Sequence, residues 1–319
     1  MNEVPLVSVV IPTYKRSERL PGAIRSVTAQ TYLNLEILIV DDNDPQSEYR
    51  RQTKASLSGF LSDGRVRYIE HEINRGGAAA RNTGISEARG EFVAFLDDDD
   101  TYEPEKIEKQ YALYRRHEKE KTGLIYCYVD GVDAAGNVLW SCNNDWEGRS
   151  LYQQMLGCIA GTSLWFCPRA ALLDVGGFED TPSKQDTILL MKLLAAGYRI
   201  YRVPETLVKY YDHTAGRISG SSMRNIDGET AARRFARSYY HQLESFAQIS
   251  EVEYSFAVRL FRYDLINELR EEAGNELKVL TAVHPWSHET LSALAAYHFP
   301  EICKAAKRIK SGLKKTVVH

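Results

Sequence analysis

Gly90-Glu-Phe-Val-Ala-Phe-Leu-Asp-Asp-Asp-Asp100 is the stretch on which the fold turns. Phe92–Leu96 is an unbroken apolar run, long enough for a buried strand and too short for a helix. Four carboxylates follow it without a break. Upstream, the β-branched run Val7–Ile11 stops at Pro12, Leu35–Val40 ends in Asp41-Asp42, and Val66–Ile69 forms a further short run. Leu20, Ile24 and Val27 recur at four and three residues, the spacing of one helical face. Ala78–Ala88 reads as a helix led in by Asn74-Arg75-Gly76-Gly77. Downstream, a helix is predicted from Pro104 to about Lys119, with proline in its first turn and acids near its start. Leu124–Val129 reads as a fifth strand. Strands alternating with crossover helices predict an α/β fold, a mixed and mainly parallel sheet flanked by helices. Ligands of such sheets lie beyond the carboxyl ends of the strands. Two of those ends carry clustered aspartates.

Farther along, Gly and Asn are common at 136–148, which predicts a connecting loop. Thr187–Ala196 reads as an apolar helix and Tyr198–Val203 as the strand after it. From about Asn225 the spacing becomes helical throughout, so residues 1–224 are expected to form the α/β domain and 225–319 a helical C-terminal extension. The hydrophobic share of 44% and charged share of 26% are those of a globular protein. A net charge of −3 gives no electrostatic reason to expect nucleic acid as a partner. Cys127, Cys142, Cys158, Cys167 and Cys303 are odd in number and form no CxxC pair, so buried thiols and a reducing compartment are expected. The start, Met-Asn-Glu-Val-Pro, lacks the basic and apolar regions of a secretory signal, and no apolar run reaches membrane-spanning length. A cytoplasmic protein is expected. Its basic tail, Lys304–Lys315, is a candidate for peripheral contact with the inner face of an anionic membrane.

Four adjacent carboxylates repel one another unless solvent or a cation relieves them, and hard divalent ions take oxygen ligands. A solvated acidic turn at a helix start is the plainest reading of Asp97–Asp100. An EF-hand loop is excluded, because its sixth position needs Gly and is Tyr102, and because a strand precedes the run. A phosphotransferase with Asp97 as its covalent nucleophile fits the local spacing Asp97-x-Asp99-x-Thr101.

The wider pattern bears on that choice. Val7-Ser-Val-Val-Ile-Pro-Thr-Tyr14, Glu36-Ile-Leu-Ile-Val-Asp-Asp-Asn43, Arg65-Val-Arg-Tyr-Ile69, Asn74-Arg-Gly76, Ala80-Arg-Asn-Thr-Gly-Ile85 and the acidic strand occur in that order. Together they resemble the family 2 glycosyltransferases, and Val175-Gly-Gly-Phe178 followed by Gln185-Asp186 extends the resemblance over about residues 5–222. Neither a GxGxxG fingerprint nor a P-loop is present. The resemblance implies the GT-A fold, a nucleotide-sugar donor, a UDP-sugar by preference, and a glycan or glycolipid-type acceptor. It implies that Pro12, Thr13, Tyr14 and Asp42 hold the nucleoside, with Asp42 accepting from a uracil-like N–H, and that Arg81 and Asn82 lie near the donor. The aspartate run matches the family's DxD-type motif. Asp99 is then the expected ligand of Mn²⁺ or Mg²⁺, with Asp97 or Asp98 facing the ribose.

Asp186, just before an apolar helix, is the expected general base that takes the acceptor's proton while the sugar inverts. On residue type alone it also reads as a helix-capping aspartate. In Asp212–Ser222, which is similar to a family segment that folds over the donor phosphates, His213 is a candidate metal or phosphate ligand and Arg217 a candidate donor contact. The chain lacks the QxxRW motif and trailing membrane helices that mark the family's polymerising members, so transfer of one sugar is expected. An aspartyl phosphotransferase or phosphatase, and a non-catalytic nucleotide-sugar-binding protein, are the alternatives. Gln185 in place of the commoner Glu is a departure that keeps the second of these open.

Overall fold

Val7–Thr13 (β1) and Leu35–Asp41 (β2) pair in parallel at the heart of a computed structural model that describes residues 4–211 and 223–299. β2 is buried throughout and β1 everywhere except Pro12, as strands covered on both faces are. Val66–Glu70 (β3), Phe92–Phe95 (β4), Asp100–Tyr102 (β5), Thr122–Val132 (β6), Val138–Cys142 (β7), Phe166–Pro168 (β8) and Arg199–Tyr211 (β9) complete a 9-stranded sheet. Its order is β3-β2-β1-β4-β8-β6-β9-β5, with β7 added to β6. β2 and β3 extend the sheet to one side of β1 and β4 lies on the other, so the winding reverses between β1 and β4.

The expected parallel majority holds for β1–β4 alone. β6–β9 is the one further parallel pair, while β4–β8, β5–β9, β6–β7 and β6–β8 are antiparallel. The predicted loop at 136–148 contains β7, because Asp133 accepts from Ala135 N and Asn137 N and Gly136 turns at φ +87°, which closes a hairpin onto β6.

Helices Leu20–Thr28 (α1), Glu48–Leu57 (α2), Gly76–Glu87 (α3), Lys106–Arg116 (α4), Leu151–Leu156 (α5), Arg169–Asp174 (α6) and Gln185–Ala195 (α7) flank the strands. α1 buries Leu20, Ala23, Ile24 and Val27, the face its periodicity predicts. α3 lies close on β1 because Gly84 is bare: a Cβ there would run into the Val10 side chain. α4 carries a fully buried polar pair, Lys106 Nζ donating to Gln110 Oε1 (2.7 Å) and to Trp165 O (3.4 Å). Gln110 in turn donates to Ile125 O (3.1 Å) and Leu164 O (2.8 Å), and burial pushes the Lys106 ammonium down to about 8.

The described residues divide into two compact units, 4–181 with 185–211, and 182–184 with 223–299. The second is built from Met223–Ser238 (α8), Phe246–Ile266 (α9), Arg270–Val283 (α10) and His288–His298 (α11). Ala257, Phe261, Ala273, Leu277, Leu280 and Ala293 form its core, and Ser245 and Ser287 cap α9 and α11. Among the described residues no helix is long and apolar enough to cross a membrane. Cys127 and Cys167 are buried, but Cys142 is half-buried and Cys158 exposed, which corrects the expectation of uniformly buried thiols. Cys303, His213, Arg217 and the tail Lys304–Lys315 lie outside the described residues.

Candidate functional site

The reversal between β1 and β4 opens the crevice in which an α/β sheet takes its ligand. Pro12 and Thr13 end β1 there, and the acid run follows β4. The two strand ends are tied together. Thr13 Oγ1 donates to Asp98 Oδ2 at 2.7 Å, Tyr14 N reaches the same oxygen at 3.4 Å, and Arg16 Nη1 lies 2.6 Å from Asp99 Oδ2 and 3.4 Å from Asp98 Oδ1. Lys15 makes this turn at φ +59°, and its N–H donates to Asn43 Oδ1 at 2.9 Å. Tyr14 is left exposed.

The four acids are not equivalent. Asp98 is buried, and burial followed by the charge of Asp99 pushes its carboxyl up to about 7 against the opposing Thr13 hydroxyl and Arg16. Asp100, at the start of β5, is pushed well up by burial and by Asp97 and Asp99, and accepts from Ser163 Oγ at 2.8 Å. Asp97 and Asp99 are half-buried, and Asp97 keeps the most exposed carboxylate where Arg81 Nη2 meets it at 2.6 Å. Of the two acids expected to face a ribose, Asp98 is thus committed inward and Asp97 outward.

Asp42 is bonded to the loop that leads into α3. Its Oδ1 accepts from His71 Nδ1 (2.7 Å) and Arg75 N (2.8 Å), its Oδ2 from Asn74 Nδ2 (2.9 Å) and Gly76 N (2.8 Å). These four donors make Asp42 a clamp on the loop before α3. Asn82 is a clamp as well. It donates to Phe178 O and accepts from Phe178 N, both at 2.8 Å, holding the Gly176-Gly177 turn at φ +77° and +68°.

Arg81 spans the cleft, since the guanidinium that meets Asp97 also reaches Gln185 Oε1 at 3.3 Å and lies 5.7 Å from the Phe178 ring. Gln185 begins α7 and Asp186 follows in its first turn, so the helix starts two residues earlier than predicted and Asp186 is inside it. Asp186 Oδ1 accepts from Thr187 N at 2.7 Å, which fixes the carboxylate's orientation. Among the acids nearby, Glu179 is paired with Lys192 at 2.6 Å, and Asp180 lines a cavity of about 840 Å³ along α3 with Asn82 and Phe178.

Sequence reasoning missed Tyr210. It pairs with Asp100 across β5 and β9, and burial, then the charges of Asp100, Asp97 and Asp186, keep its phenol protonated. A Cβ on Gly161 would stand 2.8 Å from its hydroxyl and 3.9 Å from Asp186 Oδ2, so Tyr210, Gly161 and Asp186 share one wall. No signal in the residue order marks Tyr210. It becomes visible only through the strand register.

These residues fit a divalent cation in one way only. Among the described residues no cluster of three His, Cys, Asp or Glu could hold a metal by itself. Yet Asp97 and Asp99, the less buried acids of the run, keep carboxylate oxygens at the crevice beside Arg81 and Arg16. That suits a hard cation shared between one or two of these oxygens and a phosphate ligand.

The model of the Glycosyl transferase family 2 domain matches residues 8–176, more than half of the chain. The chain belongs to glycosyl transferase family 2. An uncharacterised glycosyltransferase of Rickettsia bellii (strain RML369-C) is 33% identical over 196 residues, 59% of this chain and 27% of the relative. One of Rickettsia typhi (strain Wilmington) is 30% identical over 218 residues, 66% of this chain and 65% of the relative. The UDP-Glc:α-D-GlcNAc-diphosphoundecaprenol β-1,3-glucosyltransferase WfgD of Escherichia coli is 37% identical over 108 residues, 34% of this chain and 40% of the relative. The family 2 chain spans 27% to 47% of the first relatives it matches. Among solved structures, S. aureus TarS 1–349 in complex with UDP-GlcNAc superposes with a TM-score of 0.66 at 19% identity, covering 87% of this chain and 81% of that one. The mannosyltransferase PcManGT from Pyrobaculum calidifontis, in complex with GDP-Man and Mn²⁺, does so with a TM-score of 0.57 at 18% identity, covering 94% and 82%. The shared architecture is the GT-A fold that the sequence pattern implied.

Proposed function

We propose that this family 2 chain is a glycosyltransferase that moves one hexose from a UDP-sugar to a hydroxyl of a glycan or glycolipid-type acceptor, with inversion at the anomeric carbon. The observation that carries the reading is the tie between the end of β1 and the acid run, Thr13 to Asp98 and Arg16 to Asp99, at the reversal of the sheet. Support comes also from WfgD, whose name gives a UDP-Glc donor and a lipid-linked acceptor, and from TarS with UDP-GlcNAc. Mn²⁺ or Mg²⁺ held at Asp99 together with the donor's diphosphate would neutralise the charge left on the leaving group.

The chain's own groups do the rest in this reading. Asp97, with its exposed carboxylate, takes ribose hydroxyls, and Tyr14 offers its ring beside them. Arg16 and Arg81 keep positive charge on either side of the acids. Asp186 accepts the proton of the attacking hydroxyl, its carboxylate held in place by Thr187 N–H.

A hydrolysis screen of UDP-, GDP- and dTDP-sugars with Mn²⁺ or Mg²⁺ tests the reading. Metal-dependent release of an inverted sugar from a UDP-sugar is expected. Binding without release would make the chain a nucleotide-sugar-binding protein, and an acyl phosphate on Asp97 would make it a phosphotransferase.

A further inference from the structure

One row of side chains crosses four strands on the site's face of the sheet. Trp140 on β7 pairs with Gly131 on β6, Gly131 with Tyr210 on β9, and Tyr210 with Asp100 on β5. Residues opposite each other in register project to the same face, so Trp140 stands on the face that carries Tyr210 and the acids. Gly131 makes room for it: a Cβ there would collide with the indole ring. The rings of Trp140 and Tyr210 meet edge to face with centroids 6.2 Å apart, and Tyr210 leads on past Gly161 to Asp186. Trp140 remains 37% exposed.

A half-exposed indole beside the Tyr210 phenol fits a ligand with an apolar face and a polar rim. A pyranose ring has that shape: C–H groups on its face meet the π surface, and its hydroxyls meet the phenol's.

We propose that Trp140 is the platform for a pyranose of the acceptor, with the Tyr210 hydroxyl bonding to that sugar's rim and its attacking hydroxyl directed to Asp186. The inference rests on the glycosyltransferase reading and adds the acceptor's class, a carbohydrate held by stacking.

The test uses the full chain labelled with ¹⁵N at the indole nitrogens of its four tryptophans, with UDP and Mn²⁺ present. Trp140→Phe assigns the Trp140 signal, and cellobiose, maltose and N,N′-diacetylchitobiose are titrated in turn. At least one disaccharide should move that signal saturably. Calorimetry should then find its dissociation constant raised up to about tenfold by Trp140→Ala, much less by Trp140→Phe, and not at all by Leu33→Ala, an exposed leucine before β2. The platform is overturned if no disaccharide moves the Trp140 signal, or if Trp140→Ala leaves binding unchanged. UDP-sugar hydrolysis measured on the same sample separates the two readings. Hydrolysis without a Trp140 response sinks the platform alone. A Trp140 response without hydrolysis supports the platform and sinks the transferase. Failure of both sinks both.

Discussion

Residues 7–102 and residues 122–211 line the cleft with different materials. The first half brings charge and hydroxyls to its strand ends and ties them down: Thr13 and Arg16 to Asp98 and Asp99, Asp42 to four donors of the loop before α3. The second half brings rings and bare backbone, Trp140 over Gly131 and Tyr210 against Gly161, with Asp186 as its acid. Electrostatic interactions depend steeply on distance and dielectric, so a wall built for a diphosphate must be rigid before the ligand arrives. A wall built for neutral sugar rings recognises shape. On the proposed reading, the first half holds the donor and the second offers the acceptor.

That division can be broken most sharply at Asp186. Asp186→Asn keeps size and polarity but removes the carboxylate, so transfer should fall by roughly 10²–10⁴-fold. Donor affinity should stay within about twofold, because the donor contacts all belong to the other half. Glu179→Gln and Asp180→Asn should transfer at near wild-type rates, since Glu179 is neutralised by Lys192 and Asp180 is an exposed acid outside the helix that fixes Asp186. Single-turnover assays on the three variants rank them, and a normal rate for Asp186→Asn would move the base elsewhere.

Lys106 tests how the halves are joined, because its ammonium and Gln110 bridge α4 to Trp165 O, Ile125 O and Leu164 O. Its folded value, about 8, is lower than the usual value near 10.5. Between those two pH values the unfolded chain binds the extra proton, so stability rises with pH there. Denaturant melts of wild type and Lys106→Met should therefore diverge by about 3 kcal/mol in favour of wild type between pH 7.5 and 10.5. Parallel curves would mean that the bridge is solvated and the halves are joined otherwise.

Asp99→Ala should weaken the first half alone. Calorimetry with Mn²⁺ should show UDP-sugar affinity down by about 10- to 100-fold, the worth of one charge-assisted contact. Chelating the metal from wild type should reproduce that loss, and Asp99→Ala should be indifferent to chelation. Equal affinity in all four measurements would remove the cation from Asp99.

The two halves also differed in how far they could be read from sequence. β1, β2 and β4 are continuous apolar runs whose burial follows from composition, and α1 announces its face by period. α2 does not, because the residues it buries are Arg50, Thr53 and Leu57, and Arg50 is held by Asp41 and Glu70. β5 was hidden inside the acid run, since Asp100–Tyr102 becomes a strand only by pairing with β9. β7 was hidden by exposure, as an apolar strand in solvent sits among Gly and Asn like a loop. The family resemblance pointed to Asp42, Arg81 and Asp186. It could not give the partners of Asp42, which lie 29 to 34 residues away and make it a clamp on the loop before α3. Tyr210 and Trp140 owe their place to register alone.

Gly161→Ala should have the smallest effect and separates shape from charge most cleanly. The added methyl stands 2.8 Å from the Tyr210 oxygen, closer than carbon and oxygen approach without a bond. Either the loop before the turn at Thr162–Leu164 shifts or the Tyr210 ring swings towards Trp140. The cost is that of a mild overpacking, about 1 kcal/mol. Transfer to a carbohydrate acceptor should fall by about three- to tenfold, chiefly through the acceptor's KM. Donor hydrolysis in the absence of acceptor should hardly change, because no donor contact lies on that wall. Tyr210→Phe keeps the ring and removes the clashing oxygen, so the double variant should recover the acceptor KM of Tyr210→Phe alone. An equal loss of hydrolysis and transfer in Gly161→Ala would show that the aromatic wall serves the donor too, and the division between the halves would fail.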